Sequence, residues 1–400
     1  MALANSGDSV EDANFETSVA EAGVLRLWTF LELAKELLLQ ERGAMRPEGA
    51  EHSINDRMFL AEMDLKIRET DQHLAAMLFK EALRTGFYEY SNLFHQYRER
   101  CSVGQQAVAG GGMHWGVVER YLSTQLLLLA PFCPHVCDHA WRNLLQKDTS
   151  SILRAAWPAA SAEEPDMALI KASAYLGDAT HRFRLRLKAH TATPSGGKGK
   201  KGPDAAKGDA LKPSHGVIWV AKSFPAWQSS ILETMLELYK AHGGQLPDNK
   251  VISKALGAKQ GLKKYMKKAM PFAQAVRERM EASGLGEAAL SATVDFDERG
   301  VLEENLELVR SSLELEGVEV RWSEECDVER TREEVVPGEP FLTLSTWPSV
   351  SVKLVNPQPQ LGLFNCLVPV YAGDSVAHLA HRLRRLERGL RPSMDVTLRR

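Results

Sequence analysis

The sequence predicts a multidomain, mainly α protein. An N-terminal helix bundle comes first, then a small α/β domain, then a β-hairpin followed by a helix. Three observations point that way. Apolar residues recur at helical spacing through about residue 158, a stretch rich in glycine and lysine follows, and from residue 216 strand-like runs alternate with helical ones. The 400 residues suit two to three domains of about 100–200 residues each. The expected divisions are 1–160, a connecting segment at 161–188, a flexible linker at 189–213, an α/β domain at 214–330 and the hairpin unit at 338–400.

Within the bundle, Ser9 precedes Asp12 by three residues, a variant of the capping box. Val24, Leu27, Leu31, Ala34 and Leu38 then step along one helix face until Gly43, Pro47 and Gly49 interrupt it. Ser53 with Asp56 marks a second helix start, and Met58, Met63 and Ile67 continue it. A third run carries Leu74, Leu78, Leu83, Phe87, Tyr90, Phe94 and Tyr97, and the glycines at 110–112 end it. Val117, Tyr121, Leu122 and Leu126 predict a fourth helix, closed by Pro131 and Pro134. Ala140, Trp141, Leu144 and Leu145 predict a shorter fifth. Amphipathic helices joined by short loops make a bundle.

Residues 189–213 hold almost nothing to bury, and their five lysines outnumber two aspartates. That composition predicts a flexible basic linker. Beyond it, Val217–Val220 reads as a strand, followed by helices at about 226–241, 248–257 and 261–282. A strand near 292–294, a helix near 299–310 and a strand near 318–320 complete the α/β unit. Strands at 350–355 and 364–370 and a helix at about 374–388 then form a ββα unit that resembles a ubiquitin-like β-grasp.

Composition narrows the function. With 49 basic and 52 acidic side chains the net charge is −3, so any nucleic-acid-binding surface must be local. Five cysteines without framework spacing predict reduced thiols. No apolar run reaches the ~18 residues that span a bilayer, and the early acids at 8, 11 and 12 are unlike a secretory or transit signal. No membrane partner is expected.

The candidate sites are cationic. Lys263, Lys264, Lys267 and Lys268 gather on one side of a predicted helix, with Leu262, Tyr265, Met266 and Ala269 on the other. Lys250, Lys254 and Lys259 lie just upstream, and such a stripe either neutralises phosphates or is simply a solvated face. Arg98, Arg100 and Arg120 form a weaker basic group. Seven arginines in the last twenty residues suit phosphate or acidic-protein partners, or the exterior of a terminal helix. Cys133, His135, Cys137 and His139 are spaced two apart, which converges poorly on a tetrahedral ion, so no metal site is expected. Phosphate-binding glycine motifs and the common hydrolase signatures are absent from the sequence.

Seven stretches occur in one family's order: ALANSGDSVEDANFE, FKEALRTGFYEY, LLLLAPFCPHVCDHAW, AAWP, LPDNKVISKALG, LKKYMKKAMPFA and VSVKLVNPQPQ. Together they resemble the C-terminal portion of eukaryotic-type cytosolic leucyl-tRNA synthetases, which are class I aminoacyl-tRNA synthetases. The resemblance runs from Ala2 to about Arg391. It implies an anticodon-binding-type helical domain at 1–160 and a cytoplasmic protein that binds and orients tRNA-Leu for ATP-dependent leucylation. The family's HIGH and KMSKS signatures do not occur, so no catalytic residue carries over. The family's ATP and magnesium belong to a catalytic domain outside this sequence, and no cofactor is expected here. Two further expectations are a catalytic synthetase half or multi-synthetase assembly proteins as partners. The alternative is a free-standing interaction or scaffold module.

Overall fold

The computed structural model describes residues 1–9, 15–104, 112–147, 151–160, 164–191, 213–259, 262, 265–283, 290–291, 294–345, 350–354 and 366–370. The bundle opens with α1 (Ala2–Ser6) and α2 (Thr17–Lys35). Expectation placed a helix start at Ser9–Asp12. Residues 10–14 lie outside the described residues, and α2 begins at Thr17 without a side-chain cap. A wide π turn, Glu36–Glu41, extends α2.

The second start is where the sequence placed it. α3 (Ile54–Ala75) carries a full capping box, in which Ser53 and Asp56 satisfy each other's backbone N–H groups. The third run is divided rather than continuous. α3 ends at Ala75, one residue past Leu74, Met77 takes a left-handed φ of 58°, and α4 (Phe79–Leu83) follows. The Met77 N–H donates to the Leu74 carbonyl at 3.0 Å and the Leu78 N–H to the His73 carbonyl at 2.8 Å. This is a Schellman-type stop with methionine in the place glycine usually takes. A second π turn, Arg84–Glu89, leads into α5 (Tyr90–Gly104). There Gly86 lies so close to α3 that an added Cβ would sit 2.8 Å from Thr70 Cγ2.

α6 (Trp115–Leu129) and α7 (Pro134–His139) are the fourth and fifth helices, and Pro134 stands in the first turn of α7, where no N–H is missed. The centre of the bundle is aromatic. Phe94 stacks on Tyr121 at 4.1 Å between centroids, Phe59 on Tyr97 at 4.7 Å and Tyr90 on Tyr121 at 5.6 Å. Against them lies the fully buried carboxylate of Asp56. The Tyr97 hydroxyl donates to it at 2.6 Å, the Ser53 N–H at 2.7 Å, and Arg46 pairs with it. Tyr97 oxygen in turn accepts the His114 N–H at 2.9 Å. Burial alone would raise this carboxyl's pKa, but the donors from Arg46, Tyr97 and Ser53 outweigh burial and hold it below its ordinary value.

The expected connecting segment contains most of a 25-residue helix, α8 (Met167–Thr191). It packs on α3 and shares a core with the sheet that follows, where Met58 of α3 meets Ala172, Leu176 and Phe183 of α8. That sheet is built on β1 (His215–Val220). After β1 come α9 (Ala226–Ala241), α10 (Asn249–Ala258) and α11 (Met266–Ser283). Then follow α12 (Glu298–Glu304) and α13 (Leu306–Ser312). β2 (Gly317–Trp322) pairs parallel with β1, the crossover having passed through these helices. After α14 (Glu329–Glu334), β3 (Phe341–Ser345) pairs antiparallel on the other side of β1. Ile218 therefore lies between Val320 and Leu342, fully buried.

Three expectations change here. Ala292 and Thr293 lie outside the described residues, and Val294 is not in a strand. The single helix at 299–310 is two, broken at Asn305, whose buried Nδ2 turns back to the Val301 carbonyl at 2.9 Å. β3 has no counterpart in the sequence reading, although it completes the sheet. β4 (Val350–Leu354) and β5 (Cys366–Val370) form the expected antiparallel hairpin of a ubiquitin-like unit. The helix expected at about 374–388 lies outside the described residues.

Replacing Asp56 by Asn should destabilise the bundle by about 3–5 kcal/mol at neutral pH, because Arg46 loses its buried partner. The sign with pH follows from the depressed carboxyl. Its contribution is complete above about pH 4, the unfolded value, and disappears as the pH falls through the lower folded one. Urea unfolding across that range should show a shallower acid limb in the variant. Gly86→Ala should cost about 1–3 kcal/mol by the same measurement, as Thr70 is pushed aside.

A candidate nucleic-acid interface

The lysine-bearing unit is α9–α11. Its core brings Ile231, Leu232 and Met235 of α9 against Ile252 and Leu256 of α10 and Ala269, Ala273 and Val276 of α11. Asp248 caps α10 through the Asn249 N–H at 2.9 Å. Two bonds tie α11 back to that start: Asn249 Nδ2 donates to Gln274 Oε1 at 3.1 Å, and Arg277 donates to the Pro247 carbonyl. Trp227 stacks on Tyr265 with 5.5 Å between centroids, so the turn before α11 is anchored on α9.

This packing decides where the lysines point. Ile252 and Leu256 are buried, so Lys250 and Lys254, each two residues earlier, stand exposed on the opposite side of α10. Lys259 is half-buried just past the helix end. On α11, Lys267 and Lys268 are exposed while Ala269 is buried. Lys263 and Lys264 lie outside the described residues; the helix expected from about 261 begins at Met266. Leu262 is fully buried and Tyr265 half-buried, on the apolar side the sequence assigned them.

The three arginines of the bundle are placed differently. Arg98 bridges Glu36 at 2.9 Å and Glu41 at 2.5 Å. Arg120 pairs with Asp64 across α6 and α3. Arg100 is buried and donates to Ser173 Oγ of α8 at 2.8 Å, while Ser173 donates to Glu62 at 2.5 Å. Burial lowers the Arg100 pKa and raises that of Glu62. Of the three, Arg100 is internal, whereas Arg98 and Arg120 are half-buried and held in ion pairs. Nothing in the local sequence separates them from surface cations, because their acidic partners come from other helices.

The sulfur and imidazole groups near α7 diverge. Cys137 is buried in the core and Cys133 half-buried, while His135 and His139 are exposed. Cys101, Cys133, Cys137 and Cys326 are free thiols, and burial pushes Cys101 up to about 12. Among the described residues no group of three or more His, Cys, Asp or Glu side chains is placed to hold a metal ion. The buried carboxylates Asp56, Glu62 and Glu298 are engaged by protein donors. These residues do not fit magnesium-bound ATP, because their oxygens are already taken by protein donors.

Three family models match the chain. Residues 56–192 match "Anticodon-binding domain of tRNA ligase". Residues 220–295 match "Leucine--tRNA ligase, RagD-binding domain" and residues 346–400 "Leucine--tRNA ligase, ubiquitin-like domain". The chain is 41% identical over 400 residues to the cytoplasmic leucine–tRNA ligase of Pongo abelii, covering all of this chain and 32% of that protein. Against the cytoplasmic enzyme of Arabidopsis thaliana it is 31% identical over 331 residues, 81% of this chain and 29% of the relative. Against that of Saccharomyces cerevisiae it is 33% identical over 280 residues, 70% and 23% respectively.

The chain belongs to the leucine–tRNA ligase family. It corresponds to the family's anticodon-binding and C-terminal domains and spans a third or less of the length of these relatives. The relatives are cytoplasmic, and the chain is assigned to the cytoplasm with them. The anticodon-binding match ends at 192, so α8 belongs to that domain together with α3–α7. The second match takes in α9–α11 with the exposed lysines, and the third takes in β4 and β5. Among the described residues no helix is long and apolar enough to cross a membrane.

Arg100→Ala should lower the unfolding midpoint by an amount equivalent to about 3–5 kcal/mol, because Glu62 is left buried without its cation. Lys254→Ala should stay within about 0.5 kcal/mol of the wild type. Equal effects from the two variants in urea titrations would contradict this division of roles.

Proposed function

We propose that this chain grips and orients tRNA-Leu for a leucylation reaction whose chemistry takes place in a separate catalytic body. The observation that carries the reading is the set of exposed lysines on α10 and α11, raised on a packed three-helix unit that follows an anticodon-binding-type bundle in the chain. A tRNA is a long polyanion whose acceptor end must be held at a distant site. Mounting cations on rigid helices supplies orientation, and orientation lowers the entropic barrier of the reaction. Phosphate contacts would supply most of the affinity, with RNA shape adding selectivity. The working units are 1–160 for the helical domain, extended by α8, then 214–330 and 338–400, with 189–213 between the first two. The catalytic half of a ligase, and assembly proteins of a synthetase complex, are the partners this reading implies.

A second reading has its own observation. The family model over 220–295 is named for RagD binding, so the same unit would serve as a protein-docking module.

Binding of a tRNA-Leu transcript across a salt series tests the first reading. Changing Lys250, Lys254, Lys263, Lys264, Lys267 and Lys268 together to Ala should flatten the plot of log affinity against log salt by about 0.7–0.9 for each phosphate no longer neutralised. An unchanged slope removes the lysines from the interface. A protein partner that survives nuclease treatment but no longer binds the same variant would favour the second reading.

A further inference from the structure

The central sheet ends on an open strand. β2 pairs with β1 on one side, and its other side carries no strand. Among the described residues no loop backbone bonds to that outer side either. Alternate residues of a strand turn their N–H and C=O groups outward, so Gly317–Trp322 presents a row of unpaired donors and acceptors. Proline, lysine and a bulge are common devices that blunt such an edge, and the sequence GVEVRW in unbroken register with β1 has none of them. Its two charged side chains, Glu319 and Arg321, pair with each other at 2.6 Å on one face. The other face is apolar. Val318 is buried, while Val320 and Trp322 are half-buried at the rim of the sheet core. Lys222 Nζ lies 4.8 Å from the centre of the Trp322 ring and bridges to Glu324 at 3.3 Å, which brings that carboxylate beside the strand. Residues 314–329 hold seven acids and one arginine, and Glu314, Glu319, Glu324, Glu325 and Asp327 are exposed.

We propose that the outer edge of β2 takes up an extended basic segment of a partner protein as an added strand. Backbone hydrogen bonds along the edge supply the affinity, and alternate side chains supply the selection. On the helix side of the sheet the segment needs apolar residues, which cover Val320 and Trp322. On the other side it needs cations, which meet Glu319 and the acids around it. Charge complementarity decides the occupant. A second copy pairing through the same edge would bring two acidic segments together, and an RNA backbone would meet the same repulsion. Within the chain, 189–213 is basic but has almost nothing to bury, and the arginines of the last twenty residues fall in the ubiquitin-like match. The segment therefore comes from another protein. The other edge strand, β3, has no acidic residue in its sequence FLTLS, so the selection applies to β2. This surface is separate from the lysines of α10 and α11 and stands without the RNA-binding reading.

The probe is a labelled peptide that alternates valine and lysine and matches β2 in length. Its binding to the full chain is measured by fluorescence anisotropy, and backbone protection is read by amide hydrogen exchange. The peptide should bind, more weakly as salt rises, and should slow exchange within 317–322 while leaving 341–345 unchanged. The same peptide with its alternate, edge-facing amides N-methylated should lose binding, because it keeps every charge and loses the ladder. This control needs no change in the protein. Replacing lysine by glutamate in the peptide should also abolish binding. In the protein, Glu319→Lys, Glu324→Lys and Glu325→Lys together should weaken binding about tenfold, the combined effect of three exposed charge changes beside the added strand. Binding that survives N-methylation would show charge attraction without strand addition and overturn the proposal. Protection at β3 instead of β2, or no binding at low salt, would overturn it as well. Concentration-dependent dimers of the chain with protection at 317–322 would assign the edge to a second copy and replace it.

Discussion

Helix α8 packs against α3 of the bundle on one side and the sheet unit on the other, and its polar side chains show how both contacts are fixed. Toward the bundle, Ser173 stands between Arg100 of α5 and Glu62 of α3. Toward the sheet, the Tyr175 hydroxyl donates to Glu298 of α12 at 2.7 Å, and the second oxygen of Glu298 accepts the Gly338 N–H at 3.0 Å. Arg182 closes that group on the Gly338 carbonyl. Between these contacts, Ala172, Leu176 and Ala179 let the neighbouring elements approach closely. Apolar packing alone would tolerate sliding along the helix axis. Paired donors and acceptors on two sides do not, because a shift of one residue leaves several buried polar groups without partners.

Both carboxylates in these seams are held above their ordinary pKa by burial, Glu62 and Glu298 alike. Asp56 in the bundle centre is held below it because strong donors surround it. The difference is physical. Asp56 collects an arginine, a tyrosine hydroxyl and a backbone N–H on a single carboxylate, whereas Glu62 and Glu298 meet fewer donors for a comparable loss of water. Asp56 therefore favours the folded state when ionised. The two glutamates favour it more as they approach protonation. Such seams are costly compared with apolar contacts, and what they contribute here is register between the bundle and the sheet.

Much of this architecture was legible in the residues. The Ser53–Asp56 cap, the apolar steps of α3, α5 and α6, the strand at Val217–Val220 and the β4–β5 hairpin all follow from local pattern. The misses share a cause. The division at Met77 depends on a left-handed backbone at a residue type that rarely adopts one, and β3 depends on pairing with a strand more than a hundred residues earlier. Neither has a local signature. The same limit governs the arginines. Lys254 and Arg98 look alike in the sequence, and only the arrival of Glu36 and Glu41 from another part of the bundle separates an exposed cation from a half-buried, paired one.

Charge is sorted along the chain in a way that its near-neutral total conceals. Residues 250–282 carry nine lysines and arginines against two acids, whereas residues 295–339 carry sixteen acids against five arginines. Several of the latter acids are paired locally, Glu303 with Arg299, Glu307 with Arg310 and Glu319 with Arg321, yet the excess remains strongly negative. A polyanion approaching the α/β unit would thus meet attraction from the lysines of α10 and α11 and repulsion from the segment that runs through α12, α13, β2 and α14. At physiological ionic strength these fields reach about 8 Å, so they act on docking and orientation rather than over long range. On the proposed RNA-binding reading, repulsion by one segment would restrict the bound orientations as effectively as attraction by the other, and orienting an RNA end calls for that restriction more than for affinity.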